Sequence, residues 1–277
     1  MMSLTTTERV AVSPADRAQL LEFAVGTVQA AGRVVLPHFR SAVSVENKLT
    51  DGGFDPVTEA DQAAERVIRE RIGGAYPAHG VYGEEYGWDR GNGLTWVIDP
   101  IDGTKSFMSG LLHWGVLLAL FDGQQPIIGV MHQPFTGETW AGDGDSAWYE
   151  HAGARRDLGS RQGVGLEGAV LATTSPEFLA DDAERLAFAR LEGRVRLSRY
   201  GGDCYLYAML AMGCLDLVVD GTLNAYDIQP LMPIVQGAGG RISLWDGGDA
   251  ALGGTVVAAG SEALHAEAMR ELSGLNG

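Results

Sequence analysis

The stretch WVIDPIDGTKSF, residues 96–107, ends an apolar run in two aspartates three positions apart, Asp99 and Asp102, with Pro100 and Ile101 between them. A carboxylate at the end of a buried strand is costly unless it is paired or holds a metal. Two of them flanking a proline-stiffened bend can converge on one or two cations. An oxygen-only donor set, without clustered histidines or thiolates, favours magnesium or manganese over zinc. Gly103 and Thr104 are placed to open a short helix whose free N–H groups would face an anion held by those cations. Three more acidic positions recur at element starts and ends: Asp55 before a helix, Glu84-Glu85 after a strand, and Asp227 after Tyr226 before another helix. Taken singly, each also reads as a turn, a solvated acidic loop or an N-cap.

The elements that must position these groups follow from periodicity. Ser13-Pro14 opens a long amphipathic helix, with Ser13 as N-cap and Pro14 at the first helical position. A second helix spans roughly residues 59–72, with Thr58 and Asp61 in capping-box arrangement and Gly73-Gly74 as its end. Strands are expected at 80–82 and 94–98. Successive antiparallel strands follow from 114 to 142, turning first at Asp122-Gly123. After about residue 145 strands and helices alternate: strands at 169–173, 215–219, 241–244 and 256–259, helices at 183–191, 203–212, 228–236 and 261–272. This predicts an α+β first part, residues 1–145, carrying most of the acidic candidates. An α/β second part, residues 146–277, carries Asp227.

The 277 residues hold 36 acidic against 20 basic side chains, a formal net charge of −16. Such a surface repels nucleic-acid backbones, so no nucleic-acid partner is expected. It equally repels a phosphate ester, so a phosphorylated substrate would need bound cations to reverse the local field. Cys204 and Cys214, the only cysteines, read as small buried thiols. The N-terminus lacks the basic and apolar regions of a signal peptide, and no apolar run approaches a membrane span. A cytoplasmic location and no membrane partner are therefore expected.

In combination, Asp55-Pro56, Glu84-Glu85, Asp99 to Thr104, Tyr226-Asp227 and, eleven residues on, Gly239-Gly240 resemble the pattern of the inositol monophosphatase superfamily. The resemblance runs from about residue 20 to the C-terminus. It implies the layered αβαβα sandwich of inositol monophosphatase and fructose-1,6-bisphosphatase, usually as a homodimer. It also implies two to three Mg2+ ions, with Mn2+ as a substitute. Carried onto matching positions, Glu84, Asp99 and the Ile101 carbonyl would ligate the first ion. Asp99, Asp102 and Asp227 would ligate the second. Glu84 and, through water, Asp55 would ligate a third. Thr104 and Asp55 would orient and deprotonate the attacking water, and the Gly103 and Thr104 N–H groups would hold the phosphate. The family usually has tryptophan where this chain has Tyr226, whose ring is expected beside Asp227.

The run RYGGDCY at 199–205, the Tyr-Asp-Ile at 226–228 and FMSGLLHWG at 107–115 resemble the histidinol-phosphatase branch. Histidinol phosphate carries an ammonium and an imidazole, and Asp203 and Asp220 would place negative charge beside such a leaving group. Asn224 is a further substrate-binding candidate. The alternatives are an inositol-1-phosphatase or broad sugar-phosphate phosphatase, and a non-catalytic metal-binding regulator of the same fold. His113 and His132 read as structural, because the chemistry requires no histidine.

Overall fold

The computed structural model describes residue 4 and residues 9–41, 45–47 and 56–273. The Ser13 hydroxyl accepts from the Asp16 N–H at 3.2 Å and starts helix α1 (Pro14–Val35). Its apolar face, including Leu21, Ala24, Val25, Val28 and Val35, is buried. By length and mean hydropathy of 1.2, the 25 residues Pro14–His38 would pass for a membrane span, contrary to expectation; 56% of the apolar window is buried inside the protein. Helix α2 (Glu59–Ala75) buries Ala60, Ala64, Ile68 and Ile72 at four-residue intervals. It runs through Gly73 and Gly74, which were expected to end it. It stops instead just before Tyr76-Pro77, since a residue preceding proline disfavours the helical region. Between these helices β1 (Val45–Asn47) pairs antiparallel with β2 (Pro56–Thr58).

The main sheet is built from β3 (Gly80–Gly83), β4 (Gly87–Asp89), β5 (Thr95–Asp102), β6 (Gly115–Phe121), β7 (Pro126–Gln133), β8 (Glu138–Gly142), β9 (Ala147–His151) and β10 (Ala154–Asp157). Helix α3 (Thr104–Met108) interrupts it after β5. The spatial order is β10-β9-β8-β7-β6-β5-β3-β4. Every neighbouring pair is antiparallel except β3 with β5. The expected turn at Asp122-Gly123 forms, with the Asp122 carboxylate accepting the N–H groups of Gln124 and Gln125. Strands β6 and β7 are buried at every position, so this sheet is covered on both faces.

A second sheet uses β11 (Val170–Thr173), β12 (Leu197–Tyr200), β13 (Leu217–Asn224), β14 (Arg241–Leu244) and β15 (Gly253–Ala259), in the order β12-β11-β13-β15-β14. Its β11 pairs are parallel and its β15 pairs antiparallel. Helices α4 (Asp182–Glu192), α5 (Cys204–Ala211), α6 (Ala225–Ile228), α7 (Met232–Gly237) and α8 (Glu262–Ser273) are the remaining α-helices among the described residues. The helix expected at 228–236 is two pieces, because Pro230 lacks the N–H a continuous helix requires, whereas Pro233 lies in the first turn of α7, where that N–H is not needed. The first sheet reaches Asp157 and the second starts at Val170.

Three apolar clusters stack these elements into layers. One joins α1 and α2 to the main sheet, with Trp96, Trp114, Val116 and Leu118 inside. A second lies between the sheets, where Val97, Leu117 and Met131 meet Leu206, Leu210, Ile234 and Val235 of α5 and α7. The third packs α4 and α8 onto the outer face of the second sheet. The result is helices, sheet, helices, sheet, helices. Gly129 marks how closely the middle layer approaches, since a Cβ there would lie 2.0 Å from the Pro230 carbonyl oxygen.

Candidate active site

Strand β5 carries the first acids. Asp99 pairs with Leu117 and Asp102 with Gly115, so three steps along β5 oppose two along β6. In a regular strand, residues three apart face opposite sides. This bulge turns Asp99 and Asp102 to the same side. Asp99 is 2% exposed, and its Oδ1 accepts the Ile101 N–H at 3.1 Å. Gly103 then adopts a left-handed conformation, φ 83°. A Cβ there would lie 2.4 Å from the His113 carbonyl oxygen, so glycine is required. The chain re-enters as α3, as expected, and the Thr104 hydroxyl donates to the Ile101 carbonyl at 3.0 Å.

The third acid arrives from the second sheet. Strand β13 ends at Asn224, and α6 begins with a capping box. Asp227 Oδ2 accepts the Asn224 N–H at 2.6 Å and its side-chain amide at 3.3 Å. Asn224 thus orients Asp227 as well as lining the neighbouring cavity. One carboxylate oxygen from each of Asp99, Asp102 and Asp227 lies within 4.8 Å of the others. Such a trio repels itself. Burial, then Glu84, Asp102 and Asp227, push the Asp99 carboxyl well above the usual carboxylate range. Burial, then Asp203 and Asp227, do the same to Asp102. Burial raises Asp227 to about 6, against hydrogen bonds from Asn224 that lower it. A divalent cation offsets both the burial and the repulsion, and the all-oxygen donors suit Mg2+ or Mn2+.

Glu84 sits in the turn after β3, and its N–H donates to the Ile98 carbonyl at 3.3 Å. It lies outside the close trio, yet among the acids around Asp99 its charge acts most strongly there. Asp55 lies outside the described residues. Two acids on the buried side of α2 escaped the sequence reading. Asp61, read only as part of a cap, is buried, and its charge reaches Asp99. Glu65 is fully buried. The available signal was a carboxylate at a helix position whose neighbours Ala60, Ala64 and Ile68 all face inward.

A cavity of about 320 Å³ adjoins the trio, bounded by Asp102, Asp227, Asn224, Asp203, Phe178 and Thr222 among others. Asp203 and Thr222 both hold positive φ, 46° and 57°. Such backbone strain in non-glycine residues gathers at functional sites. Asp203 Oδ2, at the start of α5, accepts the Ser106 hydroxyl of α3 at 2.8 Å. Burial raises its carboxyl, while that bond, His113 and Lys105 pull it back. The next N–H, of Cys204, donates to Asp102 Oδ2 at 2.7 Å. The Tyr226 ring lies 6.0 Å from the ring of Tyr82, and the nearby Glu84 and Asp227 charges help push its hydroxyl up after burial.

Two expectations are corrected. Cys214 is exposed while Cys204 is buried, because α5 stops at Ala211 and Gly213 (φ 74°) turns the chain away. His113 is exposed beside Tyr205, whereas His132 is buried and bonded to Glu138 and Thr139, with burial lowering its pKa to about 4. Asp220 lines the same cavity, with both carboxylate oxygens hydrogen-bonded. Its Oδ1 accepts from the Thr173 hydroxyl and Thr174 N–H, and its Oδ2 from the Tyr207 hydroxyl. Burial raises its pKa to about 7.

That shift has a sign. A carboxyl raised in the folded state favours folding below its usual value near 4, and this contribution is lost as pH rises through 7. Asn at this position would still accept through its oxygen and would donate to Tyr207. Asp220→Asn is therefore expected to gain stability relative to wild type between pH 5 and pH 8, on the order of 2 kcal/mol by denaturant unfolding. A pH-independent difference would refute the raised carboxyl.

A mixed-sheet sandwich with clustered acids between its layers defines a class of metal-dependent phosphatase. The chain belongs to the inositol monophosphatase family, whose pattern it matches over residues 16–275. It is 37% identical to the chloroplastic bifunctional phosphatase IMPL2 of Arabidopsis thaliana over 88% of this chain and 72% of that protein. It is 35% identical to the histidinol-phosphatase of Mycobacterium tuberculosis over 81% of this chain and 87% of that one. The solved inositol monophosphatase from Zymomonas mobilis superposes with a TM-score of 0.82 at 32% identity, covering 95% of this chain and all of that one.

Proposed function

We propose that this chain is a magnesium-dependent histidinol-phosphate phosphatase, splitting L-histidinol phosphate and water into L-histidinol and phosphate. The observation that carries the reading is the convergence of Asp99, Asp102 and Asp227 beside a cavity that Asp203 also lines. Asp99, Asp102 and Asp227, with Glu84 and the Ile101 carbonyl, would hold the ions. When bound, the ions supply Lewis-acid polarisation and neutralise the phosphoryl charge. The chain's own part is positioning, which is most of what phosphoryl transfer needs. The Thr104 hydroxyl, held by the Ile101 carbonyl, and Asp55 would orient the attacking water. The Gly103 and Thr104 N–H groups would hold the phosphate. Asp203 would attract the ammonium of the leaving group, and Asn224 would hold Asp227 in place while bordering the substrate. We assign the enzyme to the cytoplasm as a homodimer, and light scattering of the purified protein checks the assembly.

Side-by-side turnover of L-histidinol phosphate and inositol 1-phosphate with Mg2+ tests the substrate. A clear preference for the inositol ester would end the histidinol reading and favour the inositol-1-phosphatase alternative, which the likeness to the Zymomonas mobilis enzyme supports. Asp203→Asn is expected to raise KM for histidinol phosphate about tenfold, the loss of roughly 1.4 kcal/mol of charge attraction in a partly desolvated site. KM for the inositol ester should stay within about twofold. Equal changes for both esters would remove Asp203 from substrate selection.

A further inference from the structure

We propose that Glu65 and Arg69 are positioning residues for Glu84, setting the metal affinity of the site; this rests on the metal reading above. Glu65 is 0% exposed on the inner side of α2. A carboxylate buried this deeply costs several kcal/mol unless its lone pairs are satisfied. Three donors satisfy it: the Glu85 N–H at 2.8 Å, the Tyr86 N–H at 3.2 Å and Arg69 Nε at 2.7 Å. Its Oε1 also presses on the backbone just before Glu84, since a Cβ on Gly83 would lie 2.1 Å from it. Only a glycine admits the carboxylate there.

Arg69 extends the same brace. Its Nη2 donates to the Gly87 carbonyl at 2.5 Å and its Nη1 to Asp89 at 2.8 Å. One carboxylate and one guanidinium thereby grip residues 85, 86, 87 and 89, the whole turn that presents Glu84. On the opposite side, β3 pairs with β5 in parallel, Gly83 lying across from Ile98, one residue before Asp99. The Glu84 backbone is thus clamped between α2 and the strand bearing Asp99. Groups that orient a metal ligand from behind typically govern affinity by 10- to 100-fold, and misplacing a ligand by about 1 Å is enough to matter.

The test uses the full chain with inositol 1-phosphate or histidinol phosphate, whichever it turns over faster. The readouts are the half-saturating Mg2+ concentration and, independently of turnover, Mn2+ binding by electron paramagnetic resonance. Glu65→Gln should raise half-saturation for both metals about tenfold, with kcat at saturating Mg2+ within about threefold. Arg69→Gln, which leaves Glu65 its two backbone donors, should raise it about threefold and carries the test if the first variant does not fold. In a Glu84→Gln background neither substitution should weaken metal binding further, because the brace would then hold nothing that ligates. Unchanged half-saturation in the single variants, or an equal rise in both backgrounds, overturns the proposal. If Glu84→Gln itself leaves metal binding unchanged, the placement of Glu84 at the metals fails and the brace falls with it. Failure of the brace alone would leave the Glu84→Gln effect intact.

Discussion

Asp99→Asn is expected to lower kcat/KM by about 10³-fold or more while leaving the protein folded. Bound ions contribute several kcal/mol of transition-state charge stabilisation, and about 4 kcal/mol corresponds to 10³ in rate. Asp99 is the acid in contact with both sides of the problem: it sits within the close trio and takes the strongest charge effect from Glu84. Asparagine keeps the shape, and its oxygen can go on accepting the Ile101 N–H. What it loses is charge. In chelator, where the carboxylates only repel one another, the variant should therefore melt at or above the wild-type temperature. Its stabilisation by added Mg2+ should be smaller. A variant that turns over phosphoesters like wild type would mean the trio is not where the chemistry happens.

Trp114→Ala is expected to cost about 3–5 kcal/mol, the usual range for emptying a large aromatic site in a core. Trp114 is fully buried. Its ring lies 4.9 Å from that of Phe107, nearly perpendicular, and 5.1 Å from that of Phe39. Phe107 belongs to α3, so the same rings floor the helix that Gly103 and Thr104 open. At two to four degrees per kcal/mol for a chain of this size, the melting temperature should fall by roughly 10 °C. Activity should fall with it as α3 loses its support. A melting temperature within about 2 °C of wild type would show that the cluster tolerates the cavity and does not floor the helix.

Much of this molecule was legible before any coordinates. The N-cap of α1, the Asp122 turn and the short helix after Gly103 all follow from local chemistry: which residues cap, which bend, which repeat every second or every third to fourth position. Where expectation missed, the missing information was mostly non-local. Strands β4, β9, β10 and β12 are short and carry exposed residues, so their pairing partners rather than their own periodicity define them. The break at Pro230 was visible as a proline, yet the apolar run on either side suggested one helix. Glu65 was not singled out in the sequence; the turn after β3 laid against α2 is what gives it a role.

Taken alone, the sequence determined the kind of chemistry available: oxygen donors, no thiolate or imidazole set, a glycine where the chain must turn left-handed, and an acidic charge that only cations could make hospitable to phosphate. Tertiary structure decided which carboxylates work together. Asp99 and Asp102 face the same way only because β5 bulges against β6, and Asp227 joins them only because a second sheet, more than a hundred residues later, packs through α5 to α7 onto the first. It also decided that Asp220 borders the cavity with its oxygens already engaged in hydrogen bonds. The reason is physical. A side chain's chemistry is intrinsic to the residue, but its direction and its burial are set by strand pairing and layer packing, and those energies belong to contacts between distant parts of the chain.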